Sequence, residues 1–328
     1  MFPNVEEFHY LDVKKFSGHK DEVNTVAFST DFEMMVTGCD DHRVRVFNVQ
    51  TGKLVCKLKG HTGAVKSVAV ASNSKCFASA SYDKTIRIWR TRDAVLLHVL
   101  QGHTKSVECI IFSFDVKTLA SGSWDRTAML WDVEKGFPLR IFEGHENLVQ
   151  SVAISYKGEW LATGSWDHTV RLWTLQSIDG SDEVTVLTGH KGNIHGVAFS
   201  REGMLASCSW DKTIRLWNPK TGKLFHVLEG HSGWVQAVIF SPDSCYLASV
   251  ADDETVRIWD VVTGHCDKVL EGETDTAQHC AFTSSGILVA SGAAQVTMTA
   301  APRVWHNLSN EDTADTDHTT STHKTQET

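Results

Sequence analysis

The sequence predicts an all-β protein built from seven similar four-stranded antiparallel sheets, and two repeated markers lead to this prediction. The dipeptide Gly-His occurs six times, beginning at residues 18, 60, 102, 144, 189 and 230, and a degenerate seventh copy begins at 272. An aromatic residue follows each histidine after 27 or 28 positions, in the order Phe47, Trp89, Trp131, Trp173, Trp217 and Trp259. A period of 41 to 45 residues is typical of stacked β modules.

Residues 103–132 show the order of elements within one repeat. The segment VECIIF is rich in β-branched residues and predicts a first strand, and FDVK predicts a turn. TLASGS predicts a second strand, WDR a tight turn, and TAMLW a third strand. PLRIF, which precedes the next Gly-His, predicts a fourth strand. The connections are short, so we expect all four strands to be antiparallel.

The repeated Gly-His and Trp-Asp markers, with four strands per repeat, resemble the WD40 family between about residues 9 and 305. The resemblance implies a seven-bladed β-propeller over residues 8–305, after a lead-in of residues 1–7. The strand-like segment 8–16 is expected to complete the last blade, which removes two exposed sheet edges. Residues 306–328 are nearly free of hydrophobic side chains, so we expect them to be a disordered tail.

The resemblance also implies a buried polar tetrad in each blade, made of His, Ser or Thr, Asp and Trp. Asp caps the turn between the second and third strands and orients the imidazole, which accepts from the hydroxyl. The hydroxyl in turn accepts the indole N–H. The matching sets are His61, Ser79, Asp83 and Trp89; His103, Ser121, Asp125 and Trp131; His145, Thr163, Asp167 and Trp173; His190, Ser207, Asp211 and Trp217; and His231, Ser249, Asp253 and Trp259.

The first and last repeats depart from this pattern. The first has His19, Thr37 and Asp41, but Phe47 stands where the others have Trp, and we expect it simply to fill the space. In the seventh, Glu273 replaces His and Gln295 replaces Asp, Pro302 interrupts the third strand, and Trp305 is displaced. We therefore expect the seventh blade to be the least stable.

A His, a Ser and an Asp within hydrogen-bonding reach also describe a hydrolase triad. An enzyme needs one such site, whereas this constellation occurs five times, with its serine or threonine inside an apolar strand. The tetrads are therefore interpreted as structural. No single cluster of charged residues points to catalysis, and no cofactor or metal site is predicted, because no cysteines have CxxC spacing.

The resemblance places partner binding on the top face, by which we mean the end of the sheets that carries the Gly-His loops and the turn aspartates. Exposed tryptophans mark interaction sites, and acidic neighbours favour a peptide with Lys or Arg beside apolar residues. Asp40, Asp252, Glu22 and Glu108 supply these acidic flanks. The candidate partner-binding residues are Tyr82, Trp124, Trp166, Trp210, Trp234, Asp40, Asp252 and Leu148.

Composition restricts the other classes of partner. The net charge is −9 and no basic stripe occurs, so nucleic acid binding is not expected. The first residues lack an apolar segment and no run of about 18 apolar residues exists, so we expect neither a signal peptide nor a membrane span. We therefore expect an intracellular protein, cytoplasmic or nuclear, whose cysteines are reduced core residues, and a monomer working within larger complexes.

The sequence thus favours a non-enzymatic scaffold or adaptor that captures a partner peptide on the aromatic top face. The alternative is a substrate-receptor subunit of a ubiquitin ligase. Its motif is matched weakly by Trp89-Arg-Thr-Arg92, where Arg90 stands in place of an acidic residue. A strand-end basic pair is the simpler interpretation of that segment.

Overall fold

The computed structural model describes residue 16 and residues 18–175, 183–271, 277–282, 288–292 and 296–297. Every regular element in these ranges is a β-strand. The strands form six four-stranded antiparallel sheets and a further sheet in which three strands are described. In all of them, strands that follow one another in sequence are neighbours in the sheet. The predicted all-β class and the four-stranded repeats are confirmed for the first six repeats.

The first three sheets have the following strands. Sheet 1 holds β1 (Val23–Phe28), β2 (Met34–Cys39), β3 (Val44–Asn48) and β4 (Leu54–Leu58); sheet 2 holds β5 (Val65–Val70), β6 (Cys76–Ser81), β7 (Thr85–Arg90) and β8 (Leu96–Gln101); sheet 3 holds β9 (Val107–Phe112), β10 (Thr118–Ser123), β11 (Ala128–Asp132) and β12 (Pro138–Phe142). The four predicted strand segments of residues 103–142 correspond to β9 through β12.

The remaining sheets continue the same order. Sheet 4 holds β13 (Val149–Ile154), β14 (Trp160–Ser165), β15 (Val170–Thr174) and β16 (Val184–Leu187); sheet 5 holds β17 (Ile194–Phe199), β18 (Leu205–Ser209), β19 (Ile214–Asn218) and β20 (Lys223–Leu228); sheet 6 holds β21 (Val235–Phe240), β22 (Tyr246–Ala251), β23 (Thr255–Asp260) and β24 (Cys266–Glu271); sheet 7 holds β25 (Ala277–Phe282), β26 (Leu288–Gly292) and β27 (Val296–Thr297).

The register between the first and second strands shifts at the same place in every sheet. In sheet 2, Val65 pairs with Ser81 whereas Ser67 pairs with Ala80, so Lys66 is the extra residue of a bulge. Such a bulge bends a strand and re-aims a side chain. The bulge residue is the position five after the Gly-His histidine, which is where the resemblance places a top-face contact.

The hydrophobic core lies between neighbouring sheets. The second strands are buried along almost their whole length, as in β6, where all six residues are buried. Side chains from sheets 2 and 3 form one cluster that includes Ile88, Leu119 and Trp131, and similar clusters join sheets 1 and 2, 3 and 4, 4 and 5, and 5 and 6. Each repeat therefore buries its apolar faces against the next one, as stacked modules must.

Sheet 7 contacts its neighbours on both sides. Strand β25 lies against β21 and β22 of sheet 6, and β1 of sheet 1 contacts both β25 and β26. Phe16, just before the first Gly-His, is buried and packs edge-on against Phe47 with ring centroids 5.5 Å apart. The predicted strand 8–16 apart from Phe16, the tail 306–328, and Glu273, Gln295, Pro302 and Trp305 lie outside the described residues.

Candidate functional site

Five sheets carry the same hydrogen-bonded tetrad. In sheet 2, His61 Nδ1 lies 2.8 Å from Asp83 Oδ2, and His61 Nε2 lies 2.8 Å from Ser79 Oγ. The indole of Trp89 donates to the same oxygen at 2.9 Å. Because a carboxylate only accepts, Nδ1 carries the proton and Nε2 accepts from the hydroxyl. The sets of sheets 3 to 6 have matching contacts between 2.7 and 2.9 Å.

Each tetrad hydroxyl is sealed inside its sheet. Ser79, Ser121, Thr163, Ser207 and Ser249 have no exposed surface, and the five histidines are 4 to 7% exposed. A nucleophile must face its substrate, and these hydroxyls face neighbouring strands. The arrangement satisfies buried polar groups, which is the condition for placing them in a core.

The turn aspartate joins three parts of each sheet. Asp83 accepts from the backbone N–H of Thr62, from the N–H of Thr85 and from the hydroxyl of Thr85, besides its contact with His61. Burial acts to raise the pKa of Asp83, but the hydrogen bonds from His61 and Thr85 outweigh it and hold that pKa well below its usual range. The aspartates at 125, 167, 211 and 253 are shifted in the same direction.

Sheet 1 replaces the tetrad with a different network. His19 Nε2 lies 2.9 Å from Thr37 Oγ1, and the ring packs against Phe47 at a centroid distance of 5.5 Å. Asp41 pairs instead with Arg45, a side chain with no exposed surface, which donates to both carboxylate oxygens and to the carbonyl of Gly18. Phe47 makes no hydrogen bond to Thr37, and the Asp41–Arg45 ion pair stands where the other sheets have the contact between His and Asp.

The two threonine networks allow a matched test of the tetrad. Thr163→Val removes the hydroxyl that serves both His145 and Trp173, whereas Thr37→Val removes one that serves only His19. Each buried partner left unsatisfied costs about 1–3 kcal/mol, so we expect the Thr163 variant to lose about twice as much free energy of unfolding. Urea unfolding of both variants measures the difference, and equal losses would contradict the tetrad's energetic role.

Acid should destabilise the protein in two steps. Burial, followed by the charge of Arg45, lowers the pKa of His19 from 6.5 to about 4, and burial also lowers the pKa of His195 and His231. Because these groups bind protons more readily when unfolded, their stabilisation is complete above pH 6.5 and declines as the pH falls toward 4. The turn aspartates add a second loss below their unfolded pKa of 3.8.

The variant His19→Gln tests the first of these steps. It keeps a polar partner for Thr37 but cannot titrate, so we expect the free energy of unfolding to depend less steeply on pH between 6.5 and 4 than in the wild type. Urea unfolding at half-unit pH intervals provides the measurement. A slope identical to that of the wild type would show that His19 takes up no proton on unfolding in this window.

The eight candidate partner-binding residues differ in exposure. Tyr82, Trp124 and Trp234 are exposed by 57%, 42% and 46%. Trp166, Trp210 and Asp40 are half-buried, and Asp252 is exposed. Leu148 is 7% exposed, and its carbonyl accepts from the N–H of Trp166, so its side chain supports the surface from below.

The aromatic residues form two groups on the top face. Tyr82 and Trp124 meet edge to face, with ring centroids 6.3 Å apart. In the second group, Trp210 stacks on Trp234 at 4.5 Å and an interplanar angle of 12°, and Trp166 packs against Trp210 at 5.1 Å. The indole N–H groups of Trp166 and Trp210 are buried and have no partner within the described ranges. In the part of the chain that the structure describes, these ring contacts join Tyr82 to Trp124 and Trp166 to Trp210 and Trp234, but they do not join one group to the other.

Polar side chains lie beside each aromatic group. Near the first, Lys66 contacts Asp40 at 3.2 Å, and burial raises the pKa of Glu108 even though Ser106 donates to it at 2.6 Å. Near the second, Asp252 accepts from Gln236 at 2.7 Å. The imidazole of His195 stacks on Trp210 at a centroid distance of 6.3 Å. The same imidazole contacts the backbone carbonyl of Gln236.

The segment Trp89-Arg-Thr-Arg92, which weakly matches the ubiquitin-ligase motif, makes an ion pair within the chain. Arg90 donates two hydrogen bonds of 2.8 Å to Asp93, and Arg92 has a side chain exposed by 85%. Within the described ranges no cluster of three or more metal-ligating side chains occurs. The cysteines at 39, 56, 76, 109, 208, 245 and 266 are free. No helix of that part of the chain is long and apolar enough to cross a membrane.

The four-stranded repeats and their shared tetrad define a repeat protein of the β-propeller class. A family model described as WD domain, G-beta repeat matches residues 11–48, 52–90, 94–132, 136–174, 181–218 and 222–260, which is well over half of the chain. The chain belongs to the WD40 repeat family. Domains of this family generally bind other proteins.

The chain is also similar to three curated proteins over a short segment. Ribosome biogenesis protein BOP1 homologs of Leishmania infantum and Leishmania major are each 44% identical over 54 residues, and the homolog of Leishmania braziliensis is 43% identical over the same length. The segment covers 16% of this chain and 6% of each relative. This likeness spans little more than one repeat.

Proposed function

We propose that this protein is a non-enzymatic scaffold or adaptor whose top face captures a peptide segment of a partner protein. The observation that carries the proposal is the stack of Trp166, Trp210 and Trp234, with Tyr82 and Trp124 beside it. A turn exposed to water needs no large ring, and partially exposed tryptophans and tyrosines dominate the energetics of protein interfaces.

The polar surroundings indicate the chemistry of the peptide. Asp252 is exposed beside Trp234, and its carboxylate accepts a hydrogen bond from the neutral Gln236. A Lys or Arg of the partner can pair with this carboxylate while its stem lies on the indole face. Asp40 is less available, because Lys66 and Asn24 already contact it. The peptide we propose therefore combines a basic residue with apolar neighbours.

Among the described residues, no contact supports the ubiquitin-ligase alternative. The motif requires an acidic residue at position 90, whereas Arg90 stands there and pairs with Asp93. Likewise, a likeness confined to one repeat supports no role in ribosome biogenesis. We retain the ligase role only as an outcome that a purification can detect: adaptor subunits of a ligase would be recovered with the protein.

We also propose that seven sheets close into one propeller over residues 8–305, with residues 8–16 completing the last sheet and residues 1–7 and 306–328 outside it. The contacts of β25 with β21 and of β1 with β25 support closure between the first and seventh sheets. The protein is proposed to act inside the cell as a monomer within larger complexes, which its free cysteines suit.

Proximity labelling tests the binding proposal. The wild type is compared with a variant carrying Trp124→Ala and Trp234→Ala, two exposed rings whose loss leaves the sheets intact. We expect partners to be lost from the labelled set, while the protein stays folded and loses only the two ring contacts, about 1–3 kcal/mol of stability. A variant that keeps every partner would remove the top face from consideration.

A further inference from the structure

The end of the sheets opposite the top face, here called the bottom face, carries the turns that join the first strand to the second. The second residue after each first strand lies in this turn, and in sheets 1 to 6 it is Thr30, Ser72, Phe114, Tyr156, Arg201 and Pro242. Phe114 and Tyr156 are exposed by 52% and 42%, and their ring centroids lie 4.2 Å apart. Large exposed rings are unusual in a turn, so this pair requires an explanation.

The aromatic pair borders a cavity of about 240 Å³. The cavity extends from sheet 2 to sheet 5, where the first strands β5, β9, β13 and β17 end. Phe114, Tyr156, Ile154 and Phe199 are among its lining residues. A space of this size suits one apolar side chain rather than a whole ligand.

One charged residue lines this cavity, and it is Arg201. Within the described ranges the Arg201 guanidinium has no ion pair, and only its backbone N–H is engaged, by Ser244. Three serine hydroxyls of the lining are used internally. Ser72 donates to the carbonyl of Phe114 at 2.7 Å, Ser113 donates to Asp115 at 2.7 Å, and Ser200 accepts from the N–H of Met204. The acidic turn residues Asp115 and Glu202 line adjoining cavities and not this one.

We propose that this cavity is a second protein-binding site, which takes a peptide with an apolar or aromatic side chain next to a carboxylate. The side chain enters the cavity and packs against the Phe114–Tyr156 pair. The carboxylate pairs with Arg201, whose planar guanidinium binds carboxylates at two points. The chemistry is opposite to that of the acidic top face. A protein with both sites can hold two different partners at once, and the bottom site does not depend on the top one.

The probes are short fluorescein-labelled peptides that share the sequence glycyl-seryl-glycyl-leucyl-phenylalanyl and differ in the last residue. One ends in glutamate with an amidated C-terminus, one in glutamine with a free C-terminus, and one in amidated glutamine. Fluorescence anisotropy with the full chain gives each dissociation constant. We expect the first or second peptide to bind about tenfold or more tightly than the third, and which one does so shows whether a side-chain or a terminal carboxylate is taken.

Variants of the protein complete the test. Arg201→Glu, and separately Phe114→Ala with Tyr156→Ala, are expected to weaken binding of the preferred peptide by about tenfold or more. Arg92→Glu and Phe137→Ala are matched controls, because both side chains are exposed and neither lines the cavity; their affinity should stay within about twofold of wild type. The proposal fails if no peptide binds, if all three peptides bind equally, or if the controls weaken binding as much as the cavity variants.

Discussion

Asp41→Ala is expected to lower the free energy of unfolding by about 3–5 kcal/mol, because it leaves a buried cation without its partner. The guanidinium of Arg45 has no exposed surface, and it donates to Asp41 Oδ1 at 3.0 Å and also to Oδ2. The carbonyl of Gly18, at 3.1 Å, would remain as its acceptor and cannot neutralise the charge. Urea unfolding followed by tryptophan fluorescence measures the loss.

A second variant distinguishes the cost of leaving Arg45 charged and unpaired from the cost of removing the whole ion pair. Adding Arg45→Met to Asp41→Ala removes the stranded charge and keeps an apolar side chain of similar length, so we expect most of the stability to return. Asp40→Ala is the control at the adjacent position, where the ion pair with Lys66 is partly exposed and is worth about 1 kcal/mol at most. If Asp41→Ala cost no more than Asp40→Ala, the buried pair would have no special energetic role.

The sequence predicted the five regular tetrads but not the network of sheet 1. The difference arises from repetition. Five copies of one pattern can be aligned with each other and their shared residues identified, whereas the network of sheet 1 occurs once and has no second copy for comparison. Arginine also occurs at the position of Arg45 in four other repeats, so residue type alone carried no signal. In sheet 2 the equivalent Arg87 donates to the carbonyl of Gly60, and its neighbour Trp89 belongs to the tetrad. Only the combination of Arg45 with Phe47, in place of Arg with Trp, distinguished the first repeat and could have predicted its different network.

The top face was predictable in position but not in arrangement. The repeat places one side chain before each turn aspartate, so the sequence determines that aromatic residues from neighbouring sheets lie close together. The exposure of each aromatic ring depends on how side chains of neighbouring sheets pack. The repeat length and the residue types do not determine this packing. Trp210 is half-buried because Trp234 of the next sheet stacks on it at 4.5 Å, whereas Trp234 itself stays 46% exposed.

Trp234 and Trp210 should separate binding from stability on the top face. Trp234 is 46% exposed and contacts Trp210 on one side only, so Trp234→Ala loses one aromatic pair, about 0.5–1.5 kcal/mol of stability. Trp210 contacts both Trp166 and Trp234, so Trp210→Ala should cost more stability by about the same amount again. Thermal unfolding ranks the two variants.

The two variants should rank differently in partner capture than in stability, because capture depends on the exposed ring surface that a partner can contact. Trp234→Ala removes the exposed ring beside Asp252, and loss of a central interface tryptophan costs about 2 kcal/mol or more of binding, a fall of more than tenfold in affinity. Phe225→Ala is the control, since Phe225 is 50% exposed but lies on the outer strand β20 away from the top face. Capture measured by quantitative pull-down should fall for Trp234→Ala and stay at the wild-type level for Phe225→Ala. If Trp234→Ala retained full capture while only Trp210→Ala lost it together with stability, the aromatic stack would be a packing feature, and the partner would bind elsewhere.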